Sequence, residues 1–129
     1  FFQLDPYAQR LAGGLDTLSR RKLLLACAML RQPKVLLLDE PCSGLLSEEI
    51  TELESLVRML CVDGTSFIDP IPALIIEHRL ELLEAVSTRT VVMDAGRVIA
   101  DGQFDVVFAM PDVRRAYFLT EDDSLEAER

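Results

Sequence analysis

Only two lysines occur among the 129 residues, Lys22 and Lys34, and the net charge is −9. A chain so poor in positive charge argues against nucleic acid as a partner, because its phosphates would be repelled. An anionic ligand must be met by backbone amides, arginines or a cation. Histidine is used once, at His78, which leaves little room for a His/Cys zinc site. The three cysteines, Cys27, Cys42 and Cys61, form no CxxC pair and leave an odd count. A disulfide framework is therefore not expected, and buried free thiols in a reducing cytosol are. No apolar run approaches the ~20 residues of a membrane span, and no secretory signal is visible. The chain opens on Phe1-Phe2 rather than Met, so it is expected to begin inside a longer protein.

What is present is enough for one domain with a real core, since half the residues are hydrophobic. The most informative stretch is Lys34-Val35-Leu36-Leu37-Leu38-Asp39-Glu40-Pro41. An apolar run that ends in two carboxylates and a proline reads as a strand, 34–39, buried on both faces of a parallel sheet. Such a strand delivers its last residues to the sheet edge where α/β folds bind ligands. Two acids at that edge suggest a metal–phosphate site.

The flanking segments alternate in type. Residues 1–17 read as loop or short helix. Residues 18–31 read as a helix apolar almost all round, with Thr17 or Ser19 as N-cap and a solvated basic start at Arg20-Arg21-Lys22; Asp16 and Thr17 also read as plain helix caps. Ser47 reads as the N-cap of an amphipathic helix over 48–61, with Glu48 and Glu49 in its first turn. Residues 65–72 hold Asp69-Pro70 and Pro72 and read as loop. Ala73–Glu77 is a second buried strand ending at His78, with a short helix after it. Thr90–Asp94 and Arg97–Ala100 read as a hairpin across Ala95-Gly96. Two small helices follow, around 103–109 and 111–118. The polar, acidic tail, 119–129, is expected to fray. The alternation argues an α/β layer structure.

In this order the pieces resemble the C-terminal half of an ABC transporter ATP-binding domain, most closely the branched-chain amino-acid importer type, with lipopolysaccharide-export ATPases second. Val35–Pro41 looks like the Walker B strand, Cys42-Ser43-Gly44-Leu45-Leu46 like the D-loop, Ile75-Ile76-Glu77-His78 like the switch-histidine strand, and Val91–Gly102 like the closing hairpin. The match runs over about residues 7–118; each motif is weak alone, and their order and spacing are specific together. The resemblance implies a partial P-loop NTPase fold with parallel strands, flanking helices and a C-terminal hairpin over residues 1–118. It also implies that ATP and Mg²⁺ are the cofactors of the intact domain. Asp39 would hold Mg²⁺ through water, Glu40 would be the general base, and His78 would contact the γ-phosphate. Ser43 and Gly44 would belong to the nucleotide-facing D-loop. The implied partners are a second ABC ATPase domain and transmembrane permease subunits, on the cytoplasmic face of the membrane.

Four departures qualify that expectation. No GxxxxGK[ST] exists, and neither lysine follows a glycine, so the phosphate cradle is missing and tight ATP binding by this chain alone is not expected. Leu11-Ala12-Gly13-Gly14 comes close to the family signature, yet the spacing back from Asp39 puts the signature slot at Leu15-Asp16-Thr17-Leu18-Ser19. The two placements remain alternatives, with a degenerate Leu15–Ser19 slot favoured. Leu46 stands where the D-loop normally ends in Asp or Asn. The segment before His78 is longer than usual, the surplus lying in Ser66–Pro72, which either displaces His78 or bulges into solvent. The functional expectation is a transporter ATPase fragment, non-catalytic and oligomeric in isolation. The alternatives are a degenerate domain that regulates a competent partner, and a soluble ABC ATPase outside transport.

Overall fold

The structure, a computed structural model, describes residues 2–66 and 68–118; the expected frayed tail lies outside them. The chain divides into two compact units, Phe1–Val86 and Ser87–Arg129.

The first unit is an α/β arrangement. Short 3₁₀ turns at Asp5–Tyr7 and Ala12–Gly14 lead into α1 (Thr17–Met29), β1 (Leu36–Asp39), α2 (Ser47–Arg58), β2 (Ala73–Ile76) and α3 (Leu80–Val86). β1 and β2 pair in parallel, with Leu36 opposite Ala73 and Asp39 opposite Ile76. Backbone bonds extend the ladder at both ends: Leu36 N–H donates to Pro72 O at 2.9 Å and Glu40 N–H to Ile76 O at 2.8 Å.

α2 supplies the centre of the core. Its apolar positions recur at helical spacing, so Leu53, Leu56 and Val57 fall on one stripe and are buried together with Leu18, Leu25, Cys42, Leu45 and Leu82. The helix starts one residue earlier than expected. Leu46 is the N-cap and Ser47 the first helical residue; the Glu49 carboxylate accepts from Leu46 N–H at 2.8 Å, satisfying a donor that the leucine side chain cannot. The α-helical pattern ends at Arg58 and widens into a π-turn, Met59–Asp63, closed by Gly64 at φ 68°.

The segment before β2, expected to be longer than usual, accompanies an unbroken β1–β2 register. Ile71 N–H donates to Leu60 O at 2.9 Å, and Ile71 is buried, so the segment is fastened to the end of α2. Ser66, Asp69 and Pro70 of this segment are exposed.

Three expectations are corrected here. The strand is not buried on both faces. Leu36 is buried and Leu38 and Ile75 pack on the core, whereas Leu37 is 72% exposed, Leu74 61% and Ile76 60%. The alternation of the strand sends every second residue to a face that nothing among the described residues covers. Helix α1 is likewise one-sided, with Leu18, Ser19, Lys22 and Leu25 inward and Leu24 and Leu30 outward. Lys22 is therefore not part of a solvated face; it is buried and its ammonium pairs with Glu52 of α2. Of the caps the sequence offers for α1, Asp16 is the one used rather than Thr17 or Ser19.

The second unit holds β3 (Thr90–Asp94), β4 (Arg97–Gly102), α4 (Phe104–Phe108) and α5 (Pro111–Phe118). The hairpin turns through Ala95 at φ 45° and Gly96 at φ 77°, the paired positive angles of a turn that matches strand twist. Register shifts between Val92 and Met93. Val92, Ala100, Val107 and Val113 form the core of this unit, and Arg89 clasps Asp101 with two nitrogens at 2.8 and 2.6 Å.

Candidate functional site

Parallel pairing brings the ends of β1 and β2 to one sheet edge. Asp39 is the last residue of β1 and lies opposite Ile76. Glu40 and His78 follow at the two strand ends, both exposed, so Asp39, Glu40 and His78 share the carboxyl edge expected of a phosphate-handling α/β sheet. Glu40 sits at φ 43°, a left-handed conformation uncommon outside glycine. The turn behind it is tight: Ser43 N–H donates to Glu40 O at 3.0 Å and Leu45 N–H to Cys42 O at 3.2 Å, with Gly44 at φ 76°. Ser43 and Gly44 are exposed beside Glu40, while Pro41, Cys42 and Leu45 are buried and anchor the turn.

The residue that joins the two strand ends is Glu77, whose side chain is fully buried. Its Oε2 accepts from Cys42 N–H at 3.0 Å. Its Oε1 accepts from His78 N–H at 2.9 Å and Arg79 N–H at 3.2 Å. His78 Nδ1 lies 3.3 Å from the same oxygen. Burial alone raises the pKa of this carboxyl, but the bonds from the Cys42, His78 and Arg79 amides outweigh it and hold the group below the usual glutamate value. In the sequence Glu77 reads only as part of a strand. Its one signal was an acid closing the run Ala73-Leu74-Ile75-Ile76.

Cys42 and Cys61 serve packing. Burial, reinforced by the Glu77 charge, pushes the Cys42 thiol up to about 12, and burial also raises Cys61, so neither is a ready nucleophile. Cys27 is exposed, contrary to the expectation of three buried thiols.

Leu15–Ser19 spans the start of α1. Leu15, Leu18 and Ser19 turn inward. The Asp16 carboxylate accepts from Ser19 N–H at 2.7 Å and from Ser19 Oγ–H at 2.9 Å, and the first of these bonds is the main reason its pKa is lowered. Arg20 donates to Leu15 O at 3.1 Å. Leu11 and Gly13-Gly14 lie in and beside the preceding 3₁₀ turn, all exposed. An open groove of about 670 Å³ runs along this region past Asp5, Tyr7, Asp16, Ser19, Lys22 and Glu52; Asp39, Glu40 and His78 do not line it.

Asp39 is exposed at the end of β1. Among the described residues, no group of three or more His, Cys, Asp or Glu side chains could hold a metal ion by itself, so the remaining ligands would have to be water and phosphate.

Comparison with known proteins accounts for this layout. The chain is 34% identical over 114 residues to the high-affinity branched-chain amino acid transport ATP-binding protein BraF of Pseudomonas aeruginosa, covering 88% of this chain and 43% of that protein. It is 36% identical over 111 residues to LivG of Escherichia coli, of the same description, covering 86% and 42%. Its homologues are the ATP-binding subunits of ABC transporters. The fold agrees. A nucleotide-free ATP-binding cassette from an ABC transporter superimposes with a TM-score of 0.76 at 26% identity, over 91% of this chain and 46% of that one. The ADP conformation of another ATP-binding cassette gives 0.75 at 28%, over 90% and 45%. No protein-family model matches. The chain thus spans less than half the length of the relatives it matches. Among the described residues, no helix is long and apolar enough to cross a membrane.

Proposed function

We propose that this chain is the C-terminal portion of an ATP-hydrolysing ABC transporter subunit of the branched-chain amino-acid importer type, seated on the cytoplasmic face of the membrane against permease subunits and a second ATPase domain. The observation that carries the reading is the in-register pairing of β1 and β2, which delivers Asp39, Glu40 and His78 to one sheet edge. In-line attack on a γ-phosphate needs an oriented water, charge neutralisation and a donor to the phosphoryl oxygens. Glu40 would accept the proton of the attacking water, and His78 would donate to the γ-phosphate. Asp39 would hold Mg²⁺ through water; the ion, when bound, offsets phosphate charge. Ser43 and Gly44 keep the turn of Glu40 compact and exposed toward the partner domain.

The sequence has no glycine–lysine phosphate loop. The 129-residue chain alone is therefore expected to give no tight Mg²⁺–ATP binding in calorimetry. Micromolar binding abolished by Asp39→Asn would show a phosphate site of a different design. In the complete subunit, Glu40→Gln is expected to lower turnover by about 10²–10⁴-fold, the usual worth of a general base. Unchanged turnover would remove Glu40 from that role.

A second reading has support from Asp16. Both of its oxygens are engaged by Ser19, and an anion at this helix start would oppose a partner's triphosphate. With Leu46 exposed at the end of the D-loop, this favours an asymmetric pair in which the partner's site is the weaker one. Asp16→Ser raising turnover at the partner's site alone is the expected result; an equal change at both sites would dismiss the asymmetry.

A further inference from the structure

A fully buried carboxylate whose partners come from two strand ends is an expensive way to fill space. Removing such a charge from water costs several kcal/mol unless its oxygens are met by donors. Glu77 meets that requirement with three backbone N–H groups, Cys42 from the turn after β1 and His78 and Arg79 from the segment after β2, and the His78 Nδ1 lies 3.3 Å from Oε1. None of these amides belongs to a helix or strand ladder, so without Glu77 each would need water, and Cys42 is 99% shielded from it. The same strand ends are already tied once, by Glu40 N–H to Ile76 O at 2.8 Å. Two straps cross at the root of the turn that holds Glu40 in its left-handed conformation.

We propose that Glu77 is a positioning residue that fastens the turn carrying Glu40 to the segment carrying His78, so that the candidate base and the candidate phosphate sensor are set as one rigid edge. Its catalytic meaning rests on the nucleotide reading above; the fastening itself does not. Each oxygen has its own duty. Oε2 fixes the distance between the two strand ends through Cys42. Oε1 fixes the backbone direction just after β2, and with it the direction from which His78 projects. Only an acid can do both at once, because its two oxygens accept and neither donates. A glutamine at this position would keep one acceptor and set an N–H₂ against one of the amides. A methionine would keep the volume and lose every acceptor.

The test is residue-resolved amide hydrogen exchange on the 129-residue chain, comparing wild type with Glu77→Gln and Glu77→Met. Glu77→Met is expected to speed exchange at Cys42, His78 and Arg79 by about tenfold or more, the worth of a bond to a charged acceptor. Leu53 and Leu56 in α2 should stay at wild-type rates. Glu77→Gln should retain part of the Cys42 protection. Wild-type rates at Cys42, His78 and Arg79 in both variants would reduce Glu77 to a space-filling residue. Acceleration throughout the first unit, or loss of folding in Glu77→Met, would make it a general stabiliser. Either result overturns the proposal. No nucleotide enters this measurement, so its failure is distinct from a failure of the ATPase reading, which the turnover of Glu40→Gln decides.

Discussion

Glu40 combines a functional side chain with a backbone angle, φ 43°, that a side chain ordinarily opposes. Left-handed residues other than glycine persist where surrounding bonds over-determine them, and they collect at working sites. Glu40→Gly is therefore expected to stabilise the fold, by about 1 kcal/mol in denaturant unfolding, while removing the carboxylate. A loss of stability would mean that the Glu40 side chain holds the turn. Asp16 presents the opposite case, a residue whose structural duty is plain. Asp16→Ala should cost about 1 kcal/mol, the usual value of an N-cap, and Asp16→Asn much less. The carboxyl pKa is lowered by the Ser19 amide, so the contribution is fully present above the ordinary value of 3.8 and is lost as pH falls through the lower folded value. Thermal melts of wild type and Asp16→Ala should therefore converge in acid. Asp16 was legible as a cap in the sequence, since Asp before an apolar run is a known start signal. Glu77 was not, because one acid ending an apolar strand looks the same whether it meets water or three amides.

Elements with strong local signals came out close to expectation. The spacing of Ile50, Leu53, Leu56 and Leu60 specifies a helix; α2 buries the first three, and Leu60 is buried in the π-turn that continues it. The Ala95-Gly96 turn likewise follows from local chemistry, because both central residues need positive φ. Gly96→Val should destabilise the second unit by about 1 kcal/mol or more, measured by exchange at Val92 and Ala100, since a β-branched residue strongly resists φ 77°. An unchanged hairpin would show that the turn relaxes to another type. Boundaries were less legible. The change from α to π winding after Arg58, and the shift of the cap from Ser47 to Leu46, depend on Glu49 reaching back and on the loop fastening to Leu60.

On the scale of the molecule, the β1–β2 pair is the outstanding feature. A two-stranded parallel sheet seldom stands with a face bare. Leu37, Leu74 and Ile76 nevertheless form an exposed apolar strip on one face, continuous by register. The chain alone should bury this strip against a second copy. Sedimentation is expected to show concentration-dependent association, reduced in Leu37→Lys with the α2 core intact. A monomer across all concentrations would refute that expectation. The apolar run of β1 reads as buried on both faces because hydrophobicity records what a surface prefers and not what lies against it.

The sequence by itself determined the element order, the apolar stripe of α2, the hairpin turn and the membership of Asp39, Glu40 and His78 in a family pattern. Each of these depends on residue type at short spacing. The tertiary structure alone decided that Lys22 is buried against Glu52 and that Glu77 ties residue 42 to residues 78 and 79. Those facts depend on which groups meet across the fold, where the cost of burying a charge is offset by partners that no local spacing reveals.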